Sequence, residues 1–127
     1  MPARNPEELD RLFSEALNSG NLDALVALYE PQATFTPEPG QVVIGTQAIR
    51  EALSAFVAIK PTLTLEVKTL AQTGDIALTS AKWALSGTGP DGNQTTMSGH
   101  SVEVSRRQPD GSWLFVIDTP WGLEWDA

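Results

Sequence analysis

Apolar residues recur at helical spacing early in the chain and alternate with polar ones later. Leu9, Leu12, Phe13, Ala16 and Leu17 fall on one helical face. Asn5 is placed to cap that helix, with Pro6 at its first position and Glu8 three residues after the cap in a box-like arrangement. Asn18-Ser19-Gly20 ends it. Asn21 caps a second helix whose Leu22, Leu25, Val26 and Tyr29 point inward, and Pro31 stops it. Ala33 to Thr36 reads as a short strand broken by Pro37-Glu38-Pro39-Gly40, and Val42-Val43-Ile44 reads as another. The prolines argue against a long central strand here. Thr46 is the expected cap of a third helix with Ile49, Leu53, Phe56 and Val57 as its buried stripe, ended by Pro61.

Three longer strands follow, at about 63–71, 76–86 and 95–107, and a last one runs from Trp113 to Pro120. Thr73-Gly74-Asp75 and Gly89-Pro90-Asp91-Gly92-Asn93 form turns between them. The final turn, Gln108-Pro109-Asp110-Gly111-Ser112, has Pro to set φ, Asp at the next position and Gly for a left-handed conformation. Helices early and a four-strand antiparallel meander late, without a βαβ repeat, define an α+β protein with its helices on one face of a curved sheet.

Pairing Gln108 with Ser112 sets a register in which Val104 faces Val116, Val102 faces Asp118 and Arg106 faces Leu114. One sheet face then carries His100, Val102, Val104, Leu114, Val116 and Asp118. The other carries Ser101, Glu103, Ser105, Arg107, Trp113, Phe115, Ile117 and Thr119. His100 and Asp118 become diagonal neighbours, roughly 7–8 Å apart at the backbone.

The 127 residues suit one domain spanning 1–127, and a chain of this size buries roughly two-thirds of its unfolded surface without staples. No cysteine is present, which excludes disulfides, thiolate catalysis and thiolate metal sites. Sixteen acidic against eight basic residues give a net charge of −8, which disfavours nucleic acid and anionic lipid as partners but not a small neutral ligand. The N-terminal MPARNPEELDRLF lacks an apolar signal core, and no apolar run reaches membrane-spanning length, so a cytoplasmic location is expected. One histidine and scattered acids form no metal-ligand spacing, and there is no nucleophile elbow, phosphate loop or dinucleotide fingerprint. No metal and no cofactor are expected.

Three segments, EALNSGNLDALVALYEPQATFTPEPG, IGTQAIREAL and SGHSVEVSRRQPDGSWLFVIDTPWG, make nearly the whole chain resemble the nuclear-transport-factor-2-like superfamily. Within it, the chain is similar to the ketosteroid-isomerase-like and SnoaL-like polyketide-cyclase proteins. The resemblance implies a cone-shaped NTF2-like (cystatin-like) fold: three N-terminal helices close a strongly curved, mostly antiparallel sheet around an apolar pocket. Homodimers through the outer sheet surface are implied too. Function does not follow from such a fold. Steroid isomerases of the superfamily, a worked example of carboxyl pKa tuning, set a carboxylate base against a tyrosine and a protonated aspartic acid. By local similarity the base position falls at or beside Glu38, the tyrosine position is Phe13 and the aspartic acid position is Gly99. Both donors are missing, which argues against true ketosteroid isomerase activity. The cyclases use a late-sheet aspartate and a histidine on the neighbouring strand, a pattern that Asp118 and His100 match in kind.

Asp118, His100 and Glu38 are therefore the catalytic candidates. In the sharp reading Asp118 takes a substrate proton while His100 donates to an oxygen or holds the carboxylate, as positioned proton transfer requires. In the plain one, Asp118 caps backbone amides at the Thr119-Pro120 corner and His100 is half-exposed. Buried, Asp118 must have a perturbed pKa. Glu38 is either aimed inward by its flanking prolines or a solvated loop-tip acid. Tyr29 offers a hydroxyl, although its helical register favours a core role. Phe13, Phe35, Trp83 and Trp121 are the candidates to line a cavity for a small, apolar organic ligand. Glu103 and Arg107 read as a polar-laced outer sheet. Two functions stay open: cofactor-free acid/base chemistry next to a carbonyl (isomerase, cyclase or dehydratase), with Asp118 or Glu38 as base, and a non-catalytic ligand-binding or assembly module. A catalytic pocket needs a perturbed carboxylate and a donor converging on one substrate atom, whereas a binder needs only shape.

Overall fold

Residues 2–122 are described by a computed structural model. Helix α1 (Pro6–Asn18) starts where expected, with Asn5 accepting from the Glu8 amide and Pro6 at its first position. The Glu8 carboxylate reaches back to the Arg4 amide at 2.6 Å. Leu9, Ala16 and Leu17 are buried as the periodicity requires, but so is Asp10.

Helix α2 (Leu22–Val26), capped by Asn21, is shorter than the pattern suggests. Tyr29 is not helical. It opens strand β1 (Tyr29–Glu38), which runs straight through Pro31 and Pro37. The prolines were expected to limit β1 to a short strand, yet it lies inside the sheet between two others. The chain tolerates them because pairing shifts beside each one, between Tyr29 and Thr34 on one side of β1 and between Phe35 and Glu38 on the other. Strand β2 (Gln41–Ile44) returns antiparallel. Helix α3 (Thr46–Ala58) is capped by Gly45, not Thr46. Gly45 has φ of 93° and donates its amide to the Ala33 carbonyl, a left-handed conformation that glycine adopts without strain.

Strands β3 (Thr62–Thr73), β4 (Ile76–Thr88), β5 (Gln94–Arg107) and β6 (Trp113–Thr119) form the expected antiparallel meander. The full order is β2-β1-β6-β5-β4-β3, with β1 parallel to β6. The sheet is thus mixed, and its helices lie on the inner face around Leu9, Leu17, Leu25, Phe35, Ile49, Leu53, Trp113 and Phe115. Bulges between β1 and β6, β3 and β4, and β5 and β6 bend this sheet. The α+β cone is the observed architecture. No helix among the described residues is long and apolar enough to cross a membrane.

The β5–β6 hairpin closes as read, with Gln108 donating to the Ser112 carbonyl at 2.7 Å and Gly111 at φ of 87°. Arg106 faces Leu114, also as read. Beyond that the register departs. Ser105 pairs with Phe115 but Val104 pairs with Ile117, so Val116 is an extra residue in a bulge. That single insertion turns Asp118 onto the face of Ser101, Glu103 and Ser105, opposite Glu103, and sends Ile117 outward. The expected pairing of Asp118 with Val102 is therefore wrong. Ser101, Glu103 and Ser105 point inward, so the face read as an outer sheet is the concave wall.

Candidate functional site

The helices and the inner sheet face enclose a cavity of about 80 Å³. Phe13 and Leu17 of α1, Leu53 and Phe56 of α3, Phe35 and Trp83 supply much of its apolar wall. Trp121 closes one side, packed edge-on against Trp83 with ring centres 5.1 Å apart. Both indoles are anchored: Trp83 Nε1 donates to the Pro120 carbonyl at 2.7 Å, and Trp121 Nε1 donates to that of Pro37 at 3.1 Å.

Into this apolar wall the chain sets three carboxyls from three elements: Asp10 of α1, Glu103 of β5 and Asp118 of β6. All are at most 5% exposed. Asp10 shares a helical face with Phe13 and Leu17, three and seven residues on, which carries it to the cavity. Glu103 and Asp118 are paired across the β5–β6 ladder, and Asp118 is paired with Phe35 on its other side. The Tyr29 phenol donates to Asp118 Oδ2. Thr79, opposite Glu103 on β4, donates its hydroxyl to Glu103 Oε1 at 2.8 Å. The Glu103 carboxyl beside Asp10 helps to raise the Asp10 pKa. Asp10 Oδ1 is a buried oxygen with no partner among the described residues.

Burial dominates the electrostatics. It pushes the Asp118 pKa up to about 8, aided by the charge on Glu103 and opposed by the Tyr29 hydrogen bond. Burial likewise raises Asp10 well above the ordinary carboxyl range, reinforced by Glu103 and Asp118. Glu103 is raised by burial, while hydrogen bonds from Ser101, Thr79 and Asp10 work against that rise. Tyr29 is raised well above an ordinary phenol by burial and by Asp118. Asp118, with its pKa near 8, keeps its proton at neutral pH, and Glu103 beside it accepts from the Thr79 hydroxyl. Two carboxyls in different surroundings lie side by side on one wall.

The residues read from the sequence separate cleanly. Asp118, Phe13, Phe35, Trp83 and Trp121 line the cavity. Tyr29 stands behind Asp118, buried, and touches it rather than the open space. His100 does not join Asp118: it is exposed, paired with Lys82, and its strand neighbours Ser101 and Glu103 are the ones that face inward. Glu38 is exposed at the end of β1 and is not part of the wall, although Pro37 beside it is. At Gly99 a Cβ would lie 3.2 Å from the Trp83 ring, so the indole takes that space. Trp125, which with Trp121 suggests from the sequence that the C-terminal tail docks, lies outside the described residues. Asp10 and Glu103 were not among the sequence candidates. The i, i+3, i+7 spacing of Asp10, Phe13 and Leu17 was the available signal for Asp10, while Glu103 needed the correct sheet face. Among the described residues no three His, Asp or Glu side chains converge to hold a metal ion.

An α+β cone closed by N-terminal helices, with acids set in its apolar interior, is of the NTF2-like class. A protein provisionally named as a dehydratase of the NTF2-like family from Streptomyces avermitilis is similar over 89% of this chain and 90% of its own, with a TM-score of 0.75 and 20% identity. The SnoaL-like domain model matches residues 9–114, and the chain belongs to that family. An NTF2-like superfamily protein from Salmonella enterica matches with a TM-score of 0.80 and 18% identity over 94% and 89% of the two chains. The epoxide hydrolase/cyclase-like enzyme SalBIII, of pyran ring formation in salinomycin, matches with a TM-score of 0.72 and 22% identity over 92% and 90%. At these identities the likeness is one of fold. No curated protein matches this chain in sequence.

Proposed function

We propose that this chain is a cofactor-independent acid–base enzyme of the isomerase or dehydratase kind, acting beside a carbonyl of a small, largely apolar substrate. The observation that carries the reading is Asp118, a carboxyl with its pKa pushed up to about 8, set in an apolar cavity wall between Tyr29 and Glu103. In the step we envisage, protonated Asp118 donates to the substrate carbonyl oxygen while the Glu103 carboxylate takes an α-proton, leaving an enol. The proton gained by Glu103 then goes to a different carbon in an isomerisation, or to a β-hydroxyl that departs as water in a dehydration. In either case the enol O–H returns its proton to Asp118 as the carbonyl re-forms. Tyr29 fixes the Asp118 carboxyl, and the apolar wall keeps water from competing. The dehydratase and cyclase names of structurally similar proteins agree with chemistry of this type.

A homodimer belongs to the same proposal. Ile44, Thr34, Ile117, Val104 and Leu78 are successive partners across β2, β1, β6, β5 and β4 on the convex face. Ile44 is 62% and Ile117 43% exposed. An apolar row of this kind supports a second copy of the chain as its occupant.

The test is a panel of β-hydroxy and β,γ-unsaturated ketones followed by ultraviolet absorbance of the conjugated product. Turnover should fall by about 10²–10⁴-fold in both Asp118→Asn and Glu103→Gln, with the fold intact. Unchanged turnover in Asp118→Asn would remove it from the mechanism, and a panel bound but never converted would favour the binding-module reading.

A further inference from the structure

Nearly every wall of the cavity belongs to a helix or a strand. Of the described residues that line it, only Pro120 and Trp121 do not, and they sit on the turn that follows β6. The other walls cannot retreat without opening the core, since Leu17, Phe35, Leu53 and Phe115 are at most 2% exposed and pack in one cluster. The turn has a fixed backbone. The Pro120 carbonyl accepts from Trp83 Nε1 at 2.7 Å, and Gly122 donates to the Thr119 carbonyl at 3.0 Å. Gly122 also lies so close to β5 that a Cβ there would come within 2.8 Å of the Val102 amide nitrogen. The Trp121 side chain is held more lightly. It is half-buried, tied by Nε1 to the Pro37 carbonyl at 3.1 Å and resting edge-on against Trp83. The indole is therefore the wall that can change while the fold stays.

With the indole seated, the cavity measures about 80 Å³. An apolar cavity of about 150 Å³ is the size that holds a benzene ring. The space beside Asp118 thus falls short of one aromatic ring, and what fits it is a short acyclic molecule. Indole has a single N–H and no acceptor, and Trp121 spends that donor on Pro37, so its contribution to a ligand is shape. We propose that Trp121 is the specificity-determining residue of this cavity: seated on the Pro37 carbonyl, it confines the ligand to short acyclic carbonyl compounds and shuts out aromatic and fused-ring ones. This size limit rests on the reading of the cavity as the site of a carbonyl substrate, and it names the class of that substrate.

Dissociation constants for 2-pentanone, acetophenone and 2-acetylnaphthalene, methyl ketones of growing bulk, measured by NMR titration of the full chain, test this. Apolar burial alone would favour the largest of the three. The unaltered chain should show the reverse order, with acetophenone at least about tenfold weaker than 2-pentanone and 2-acetylnaphthalene unbound. In Trp121→Ala the affinity for each aromatic ketone relative to that for 2-pentanone should rise at least about tenfold. If that variant does not fold, Trp121→Leu decides by the same ratio, and if neither folds, the order in the unaltered chain decides. Aromatic ketones bound by the unaltered chain as tightly as 2-pentanone, or a ratio unmoved by the substitution, overturns the inference and leaves the acid–base reading standing. Binding of none of the three, in the unaltered chain and the variants alike, overturns it together with the cavity's role. Binding in the expected order with no ketone turned over upholds the size limit and removes the acid–base mechanism alone.

Discussion

The Tyr29 phenol donates to Oδ2 of Asp118, joining the first strand of the sheet to the last across their parallel pairing. The contact ties the start of β1, where the helical segment gives way to sheet, to the carboxyl at the centre of the site. Removing the phenol oxygen takes away the one hydrogen bond that lowers the Asp118 pKa. In Tyr29→Phe that pKa should rise further, moving the alkaline limb of any pH–rate profile upward. Leaving Asp118 Oδ2 buried and unpartnered should also cost about 1–3 kcal/mol, measurable by urea unfolding. A limb moved downward would contradict the donor role of Tyr29.

Burial of three acids makes stability depend on pH with a defined sign. The folded-state pKa of Asp118 lies near 8, above its unfolded value, so the folded state binds more protons than the unfolded one between the two. Stability is fully present below the ordinary carboxyl pKa and is lost as pH rises through about 8. Asp10 and Glu103, raised for the same reason, act in the same direction. Thermal melts from mildly acidic to mildly alkaline pH should show a falling melting temperature. Asp118→Asn should flatten that fall and exceed the unaltered chain at the alkaline end.

Much of the fold could be read from residue pattern. The Asn5 and Asn21 caps, the meander and the closing turn at Gln108–Ser112 all follow from local chemistry. The candidate site was legible only in part, and the losses have local causes. One bulged residue, Val116, slips the β6 register, which moved Asp118 from the His100 face to the Glu103 face. Nothing within Leu114 to Ile117 marks such a bulge in advance, since every residue there suits a strand. Tyr29 fits the stripe of the preceding helix as well as a strand start, and only pairing with Phe115 on β6 decides it. Asp10 was hidden because a charged residue beside an apolar stripe is ordinarily solvated.

His100 and Asp118 make a direct comparison of the two sheet faces. His100→Ala removes an exposed side chain beside Lys82 and should change stability by no more than about 0.5 kcal/mol. It should leave turnover of any converted ketone unaltered, whereas Asp118→Asn removes turnover. A large loss in His100→Ala would mean that the convex face takes part in the chemistry.

Gly99 offers a test of whether an acid at this position can reach the cavity. Placing an acid there by Gly99→Asp sets a Cβ 3.2 Å from the Trp83 ring, which is itself pinned by Nε1 to the Pro120 carbonyl and packed against Trp121. The ring must shift, so the substitution should cost about 1–3 kcal/mol as overpacking does, with a change in tryptophan fluorescence as Trp83 moves. It should not raise turnover of a β,γ-unsaturated ketone. A gain in turnover with fluorescence unchanged would mean that the indole yields and the acid reaches the cavity.

The convex row gives the last test. Ile117 stands beside Thr34 on one strand and Val104 on another, exposed because the Val116 bulge turned it outward. In a homodimer built on this row Ile117 lies within the contact, and Ile117→Asp would bury an unpaired charge on each side of the two-fold axis. In a monomer the same change faces water and is nearly neutral. Sedimentation equilibrium should therefore show a dimer for the unaltered chain and a monomer for Ile117→Asp, with far-ultraviolet circular dichroism unchanged. A chain that sediments as a monomer before substitution, or as a dimer after it, would place the contact elsewhere or nowhere on this face.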